Sequence, residues 1–178
     1  MPYYTISYGI DPSGENVANG YSRYIITDLL REKYGFDGVV CTDWTITADN
    51  PSVETMNGKP WGVEHLSVEE RHFQAIYAGC DQFGGNDDKQ PILAAYQLWC
   101  QRFGKESAEQ RFRASAQRLL LNFFRVGVFE NPYVDPNYTA QVVGCKEFVE
   151  EGYDAQLKSI VMLKNHQQVM PIKKGAKV

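Results

Sequence analysis

The stretch Gly35-Phe36-Asp37-Gly38-Val39-Val40-Cys41-Thr42-Asp43-Trp44 constrains the fold more than any other part of the chain. Gly35 and Gly38 punctuate a turn. Val39 and Val40 are adjacent apolar residues without alternation, the pattern of a short strand buried on both faces, as in a parallel sheet. Asp43 closes the strand and Trp44 follows directly. In α/β architectures ligands and catalysis gather at the C-terminal ends of strands. Asp43 is therefore a candidate nucleophile or base, and the Trp44 indole a platform for a sugar or another flat ligand. An Asp in this place also serves as a helix N-cap or a turn former. The run from Trp44 to about Leu66 follows no period and contains Pro51, Gly58, Pro60 and Gly62. Loops this long inside compact domains are usually functional or disordered, and this one reads as the wall of a pocket.

Around that stretch the chain alternates short strands and helices. Residues 3–8 read as a strand, and residues 9–20 as a loop. Ser22 is placed to cap a helix whose Ile25, Ile26, Leu29 and Leu30 repeat at helical spacing, ending near Gly35. Ser67-Val68-Glu69-Glu70 is a capping-box pattern, followed by Phe73, Ile76 and Tyr77 on one face and a stop at Gly79. Cys80-Asp81-Gln82-Phe83 reads as a second strand closed by Gly84-Gly85-Asn86. The turn-forming residues after Asp81 favour a structural role for it. Pro91 opens a helix running to about Gln101. Ser107-Ala108-Glu109-Gln110 opens another, with Phe112, Ala116, Leu119, Leu120 and Phe123 as a core-packing stripe and Gly127 as terminator.

Residues 1–127 thus read as strand–helix units with parallel strands, and residues 128–153 as a linker with Pro132 and Pro136. A short helix near Asp154 leads into the buried-strand signature Ile160-Val161-Met162-Leu163-Lys164, then Val169-Met170-Pro171-Ile172. One or two strands cannot bury a core alone. Met1-Pro2-Tyr3-Tyr4 begins without the flexible lead-in of most termini. Both ends read as cut from a longer chain.

The 178 residues carry a net charge of −4 with no clustered basic stripe, which argues against a nucleic-acid groove. An apolar share of 43% suffices for a packed core. The sequence reads without a membrane-spanning apolar run or a signal-peptide pattern, so no membrane partner is expected of this stretch. Cys41, Cys80, Cys100 and Cys145 form no C-x-x-C pair, and His65, His72 and His166 form no ligand pair. No metal and no cofactor is expected.

Three motifs, in order, resemble glycoside hydrolase family 3, the β-glucosidase and β-xylosidase family. Leu30-Arg31-Glu32, Gly35-Phe36-Asp37-Gly38 and Cys41-Thr42-Asp43-Trp44 resemble the segment carrying the nucleophile, with Thr42 where the family usually has Ser. Phe124-Arg125-Val126-Gly127-Val128-Phe129-Glu130-Asn131-Pro132-Tyr133 resembles the exit from the family's N-terminal barrel. Ser159-Ile160-Val161-Met162-Leu163-Lys164-Asn165, with Val169-Met170-Pro171-Ile172, resembles the start of its second domain.

The resemblance implies an α/β fold. Residues 1–127 would be the C-terminal part of a (β/α)8 barrel, 128–153 the interdomain linker, and 154–178 the start of an α/β sandwich. It implies a retaining, exo-acting β-glycosidase that hydrolyses terminal β-linked sugars through a covalent glycosyl-Asp intermediate. Asp43 would be the nucleophile, Tyr4 would hydrogen-bond it, and Trp44 would line the sugar site. Arg31 reads as a structural ion-pair residue. The general acid/base would lie beyond position 178 and the family's sugar-holding lysine–histidine pair before Met1, so the isolated chain is expected to be inactive or nearly so. Asp49, Glu54 and Glu64 match no family acid motif. The family is often periplasmic or extracellular, and the sequence itself assigns no compartment.

Two rivals remain at this level. A strand-end Asp also accepts phosphoryl groups, but such sites usually carry a second acid two residues on, where this chain has Thr45. A non-catalytic module would bind carbohydrate or a partner chain through Trp44, Trp61 and exposed tyrosines, with Trp99 in a helix core. A partial barrel exposes strand edges, so self-association or pairing with complementary segments is expected.

Overall fold

Ser22 does open a helix: its Oγ accepts the Ile25 N–H at 3.3 Å, and its carbonyl accepts the Ile26 N–H at 3.1 Å. The ladder then widens. The Tyr34 N–H reaches the Leu29 carbonyl at 2.9 Å, and Tyr24–Lys33 forms a π-helix rather than the expected α-helix. π geometry is rare in helices and, where it occurs, changes which side chains share a face. Here Thr27 Oγ1 donates to the Ala78 carbonyl at 2.8 Å and Arg31 Nη2 to the Gly79 carbonyl at 3.0 Å. Two residues one turn apart are thus tied to the end of the next helix.

The computed structural model describes residues 1–49 and 59–176; Pro51, Glu54 and Gly58 of the long loop lie outside the described residues. The chain divides into two units, Met1–Glu130 and Asn131–Val178. In the first, helix α1 (Val68–Ala78) carries the expected capping box. Ser67 Oγ accepts the Glu70 N–H at 3.2 Å while Glu70 Oε2 accepts the Ser67 N–H at 2.9 Å. Gly79 ends it at φ +120, where a side chain would be strained. Helix α2 (Gln90–Phe103) has Pro91 in its first turn. Helix α3 (Lys105–Arg125) starts after Gly104, two residues before the expected Ser107. The Ser107 hydroxyl is engaged elsewhere, accepting the Trp99 indole N–H at 3.0 Å. The apolar stripe expected along α3 packs only near its start, at Ala108 and Phe112, while Leu120 and Phe123 are exposed.

The two expected strands are reduced to a single parallel bridge, Cys41 with Gln82. The Thr42 N–H donates to the Gln82 carbonyl at 2.9 Å, and the Val40 carbonyl accepts from Asp81 N–H at 2.8 Å. A parallel ladder grows by neighbours on both sides. Among the described residues each segment has only the other in parallel, so no named strand develops. A second bridge, Ile6 with Ala18, is antiparallel. Two apolar clusters flank this pair. One joins Tyr4, Tyr21, Ile26, Val40, Ile46 and Cys80. The other joins Phe73, Ile76, Ala95, Trp99 and Ala108 across α1, α2 and α3.

In the second unit, helix α4 (Pro136–Val142) is capped by Asp135, whose Oδ1 accepts the Asn137 N–H at 2.8 Å. Helix α5 (Lys146–Ser159) is longer than the short helix expected near Asp154 and begins inside the span read as linker. Ile160 to Leu163 form no ladder among the described residues, and Leu163 is 93% exposed, against the buried strand expected there. No helix of the described residues is long and apolar enough to cross a membrane.

Candidate active site

Asp43 stands where the first parallel segment ends, one residue past the Thr42–Gln82 hydrogen bond. Its side chain is buried, with the residue 5% exposed, and Oδ1 accepts the Trp44 N–H at 2.8 Å. Trp44, in contrast, is 62% exposed. The chain then turns through Thr45 at φ +52, a left-handed conformation uncommon for a β-branched residue. That turn is held by the Thr45 N–H on the Gly84 carbonyl at 2.9 Å and the Ala48 N–H on the Thr45 carbonyl at 3.0 Å.

Tyr4 reaches the same place from the start of the chain. Its hydroxyl donates to the Trp44 carbonyl at 2.5 Å, and its ring lies 6.4 Å from that of Trp61, centroid to centroid. Burial, followed by the negative charge of Asp43, pushes the Tyr4 phenol up to about 12. The phenol therefore stays protonated at any ordinary pH, and the hydrogen bond it donates goes to the Trp44 carbonyl rather than to the Asp43 carboxylate that the resemblance implied. The residues singled out in the sequence, Tyr4, Asp43, Trp44 and Trp61, thus gather in one neighbourhood.

The second parallel segment contributes backbone. A Cβ at Gly84 would lie 2.6 Å from the Thr42 carbonyl oxygen, and one at Gly85 would overlap the Trp44 ring. Gly84 N–H donates to Thr42 Oγ1 at 3.0 Å. The hydroxyl that Thr42 shares with Ser is therefore in use. These glycines read only as a turn in sequence, and no local period signals their contact with Asp43 and its neighbours.

Two helix residues that sequence reasoning passed over hold the loop. Arg71, buried, donates to the Thr47, Val63 and Glu64 carbonyls and pairs with Asp49 at 2.7 Å, clamping both ends of the long loop. Glu64 Oε2 accepts the Gly62 N–H at 3.0 Å. Asp49, Pro60, Trp61, Glu64 and Arg71 line a cavity of about 360 Å³. His72 lies wholly buried with Nδ1 2.7 Å from the Val68 carbonyl and Nε2 2.7 Å from Asn86 Nδ2 and 3.3 Å from the loop's Thr47 Oγ1. A carbonyl only accepts and an amide nitrogen only donates, so the imidazole is neutral and protonated at Nδ1. Burial pushes its pKa below the ordinary value. The available signal was position: Arg71 and His72 share a helix with the inward Phe73 and Ile76.

Asp81, the other strand-end acid, is a structural hub. Its buried carboxylate accepts from Arg31 Nη2 at 2.6 Å, the Val40 N–H at 3.0 Å, the Ser115 hydroxyl at 2.7 Å and Arg118 Nη1 at 2.9 Å. Burial alone would raise its pKa, but the Val40 and Ser115 donors and the two arginines outweigh it and hold the carboxyl below its usual range. No cluster of metal-ligating residues occurs among the described residues.

The chain is 39% identical over 98% of its length to the probable β-glucosidase C of Aspergillus flavus, of which it covers 26%. It is 37% identical over its whole length to the periplasmic β-glucosidase/β-xylosidase of Dickeya chrysanthemi, of which it covers 28%. Among solved structures it resembles a β-glucosidase from Erythrobacter marinus, with a TM-score of 0.59 and 25% identity, over 88% of this chain and 19% of that one. It also resembles the exo-1,3/1,4-β-glucanase of a Pseudoalteromonas species, with a TM-score of 0.53 and 28% identity, over 88% of this chain and 23% of that one. No family model matches the chain.

Proposed function

We propose that the chain is part of a β-glucosidase/β-xylosidase of glycoside hydrolase family 3 and carries the nucleophile half of a retaining, exo-acting β-glycosidase site. The observation that carries this reading is the pairing of a buried carboxylate, Asp43, with an exposed indole, Trp44, at the end of a parallel-paired segment. The Asp43 carboxylate attacks the anomeric carbon of a terminal β-linked sugar. The glycosidic bond breaks as its oxygen takes a proton, and a glycosyl ester forms on Asp43. Water then attacks the same carbon, restoring the carboxylate with net retention. Tyr4, kept protonated by its surroundings, holds the Trp44 carbonyl and thereby the Trp44–Thr45 peptide, directly after the Asp43–Trp44 pair. Trp44 and Trp61 supply apolar faces for the sugar ring.

A retaining mechanism needs a second carboxyl about 5–5.5 Å from the nucleophile. Asp49 is engaged by Arg71 and Glu64 by the Gly62 N–H, so neither is assigned that role. The chain spans 26% and 28% of the two curated relatives, and we place the acid/base in the remainder of such a longer protein. Loss of a general acid/base costs about 10²–10⁴ in rate. The 178-residue chain alone is therefore expected to turn over little or not at all. The barrel and sandwich assignments belong to the same proposal and rest on the family resemblance.

Intact mass after incubation with activated 2-deoxy-2-fluoro-β-glucoside and β-xyloside tests the assignment. One glycosyl adduct, missing in Asp43→Asn, is the expected result. A folded chain that gains no adduct from either reagent, or gains it equally in Asp43→Asn, overturns the claim that Asp43 is a competent nucleophile here.

A further inference from the structure

The π-helix, the end of α1, α2 and α3 line a cavity of about 350 Å³. Four arginines line it: Arg23, Arg31, Arg111 and Arg118, with Tyr77 and Trp99 as apolar wall. The charge there does not balance. Arg31, Arg111 and Arg118 share a single carboxylate, Asp81, at 2.6, 3.6 and 2.9 Å. Arg23 faces the exposed Asp28 at 3.7 Å and stacks over Tyr77 at 5.9 Å. Four guanidinium groups thus meet two carboxylates, leaving two positive charges on a concave, partly desolvated surface.

The hydrogen-bond inventory points the same way. Arg31 Nε is the one buried side-chain nitrogen or oxygen among the described residues without a partner, although both terminal nitrogens of that guanidinium are engaged. It sits beside Gly79, which also lines the cavity. The Arg31 charge is therefore only partly compensated by its own hydrogen bonds and adds to the excess around the cavity. Arg118 commits only Nη1, to Asp81, among the described residues. Arg111, whose pKa is lowered by burial despite Asp81, adds a charge that the cavity keeps poorly compensated.

We propose that this cavity is a binding site for a small dianionic oxyanion, inorganic phosphate or a phosphate monoester, held by the guanidinium groups of Arg23 and Arg118. Two negative charges match the excess, and tetrahedral oxygens suit guanidinium donors converging from several sides. Tyr77 and Trp99 give the organic part of a monoester an apolar surface. The site shares no residue with the Asp43 neighbourhood, so it stands or falls independently of the glycosidase reading.

Isothermal titration calorimetry of the full 178-residue chain, with inorganic phosphate and with phenyl phosphate at fixed ionic strength set by chloride, tests it. One-to-one binding is expected in both arms. Arg23→Gln removes an exposed guanidinium with little structural duty, and it and Arg118→Gln each weaken affinity about tenfold, or about 1.4 kcal/mol. Tighter binding of phenyl phosphate identifies a monoester as the better ligand, and equal binding identifies the free anion. Absence of heat beyond the chloride control, or affinity unchanged in Arg23→Gln with the variant folded by circular dichroism, overturns the proposal.

Discussion

Gly84 lies against the Thr42 carbonyl so closely that its own N–H donates to the Thr42 hydroxyl at 3.0 Å while a Cβ would stand 2.6 Å from the carbonyl oxygen. This contact joins the two parallel segments one residue before Asp43. Gly84→Ala forces them apart and is expected to cost about 1–3 kcal/mol, as overpacking does. Thr42→Ser keeps the acceptor and stays within about 1.5 kcal/mol. Thr42→Val leaves the Gly84 N–H unpaired at a cost of about 1–3 kcal/mol. Urea denaturation of the three variants measures the order.

The Tyr4 phenol, pushed up to about 12 by burial and then by Asp43, is expected to be among the last tyrosines to ionise. Its folded pKa exceeds the unfolded value of about 10. Its contribution to stability is therefore complete below about 10 and is lost as pH rises toward 12. Asp43→Asn removes the second cause and moves the Tyr4 midpoint downward, short of the ordinary value because burial persists. Observing the Tyr4 ring carbon by NMR across the alkaline range reads the shift, and a midpoint unmoved by Asp43→Asn contradicts the proximity.

His72 titrates in the opposite sense. Its folded pKa lies below the unfolded one, so its stabilising effect is whole above about 6.5 and declines as pH falls through the folded value. Protonation places an N–H at Nε2 against the Asn86 amide nitrogen, 2.7 Å away. Melting temperature between about pH 7.5 and 5 is expected to fall more steeply for the native chain than for His72→Gln. Equal slopes contradict the assignment.

Asp81→Asn leaves three arginines without their shared charge. Breaking a buried ion-pair network in this way costs about 3–5 kcal/mol. The carboxyl is held below its usual range, so the native chain keeps this contribution above about 4 and loses it as pH falls through the lowered value. Chemical denaturation at about pH 7 and about pH 3 should show the native and variant chains converging at the lower pH.

What was readable in the sequence was local. The capping box at Ser67 and Glu70, the stop at Gly79 and the helix opened by Pro91 are encoded by residues within a turn of one another. The helix at Ser22 was legible in position but not in pitch, because its π ladder answers to Ala78 and Gly79, more than forty residues away. The strands were over-read: Val39, Val40 and Cys80 have the composition of sheet, but a ladder is a property of neighbours rather than of one segment. The site divides likewise. Asp43 and Trp44 announce themselves by position. Arg71 and His72, which fix the loop around them, look like any charged pair at the start of a helix until the burial of the helix's inner face is known.

Because side chains are excluded at both Gly84 and Gly85, the wall of the site facing Trp44 is closed to variation. The 44–66 loop is instead fastened near its two ends, by Arg71 on the Thr47 and Glu64 carbonyls. The surroundings of Asp43 and Trp44 thus depend on one helix residue of α1 as much as on the two parallel segments, and losing either support loosens a different side of the same neighbourhood.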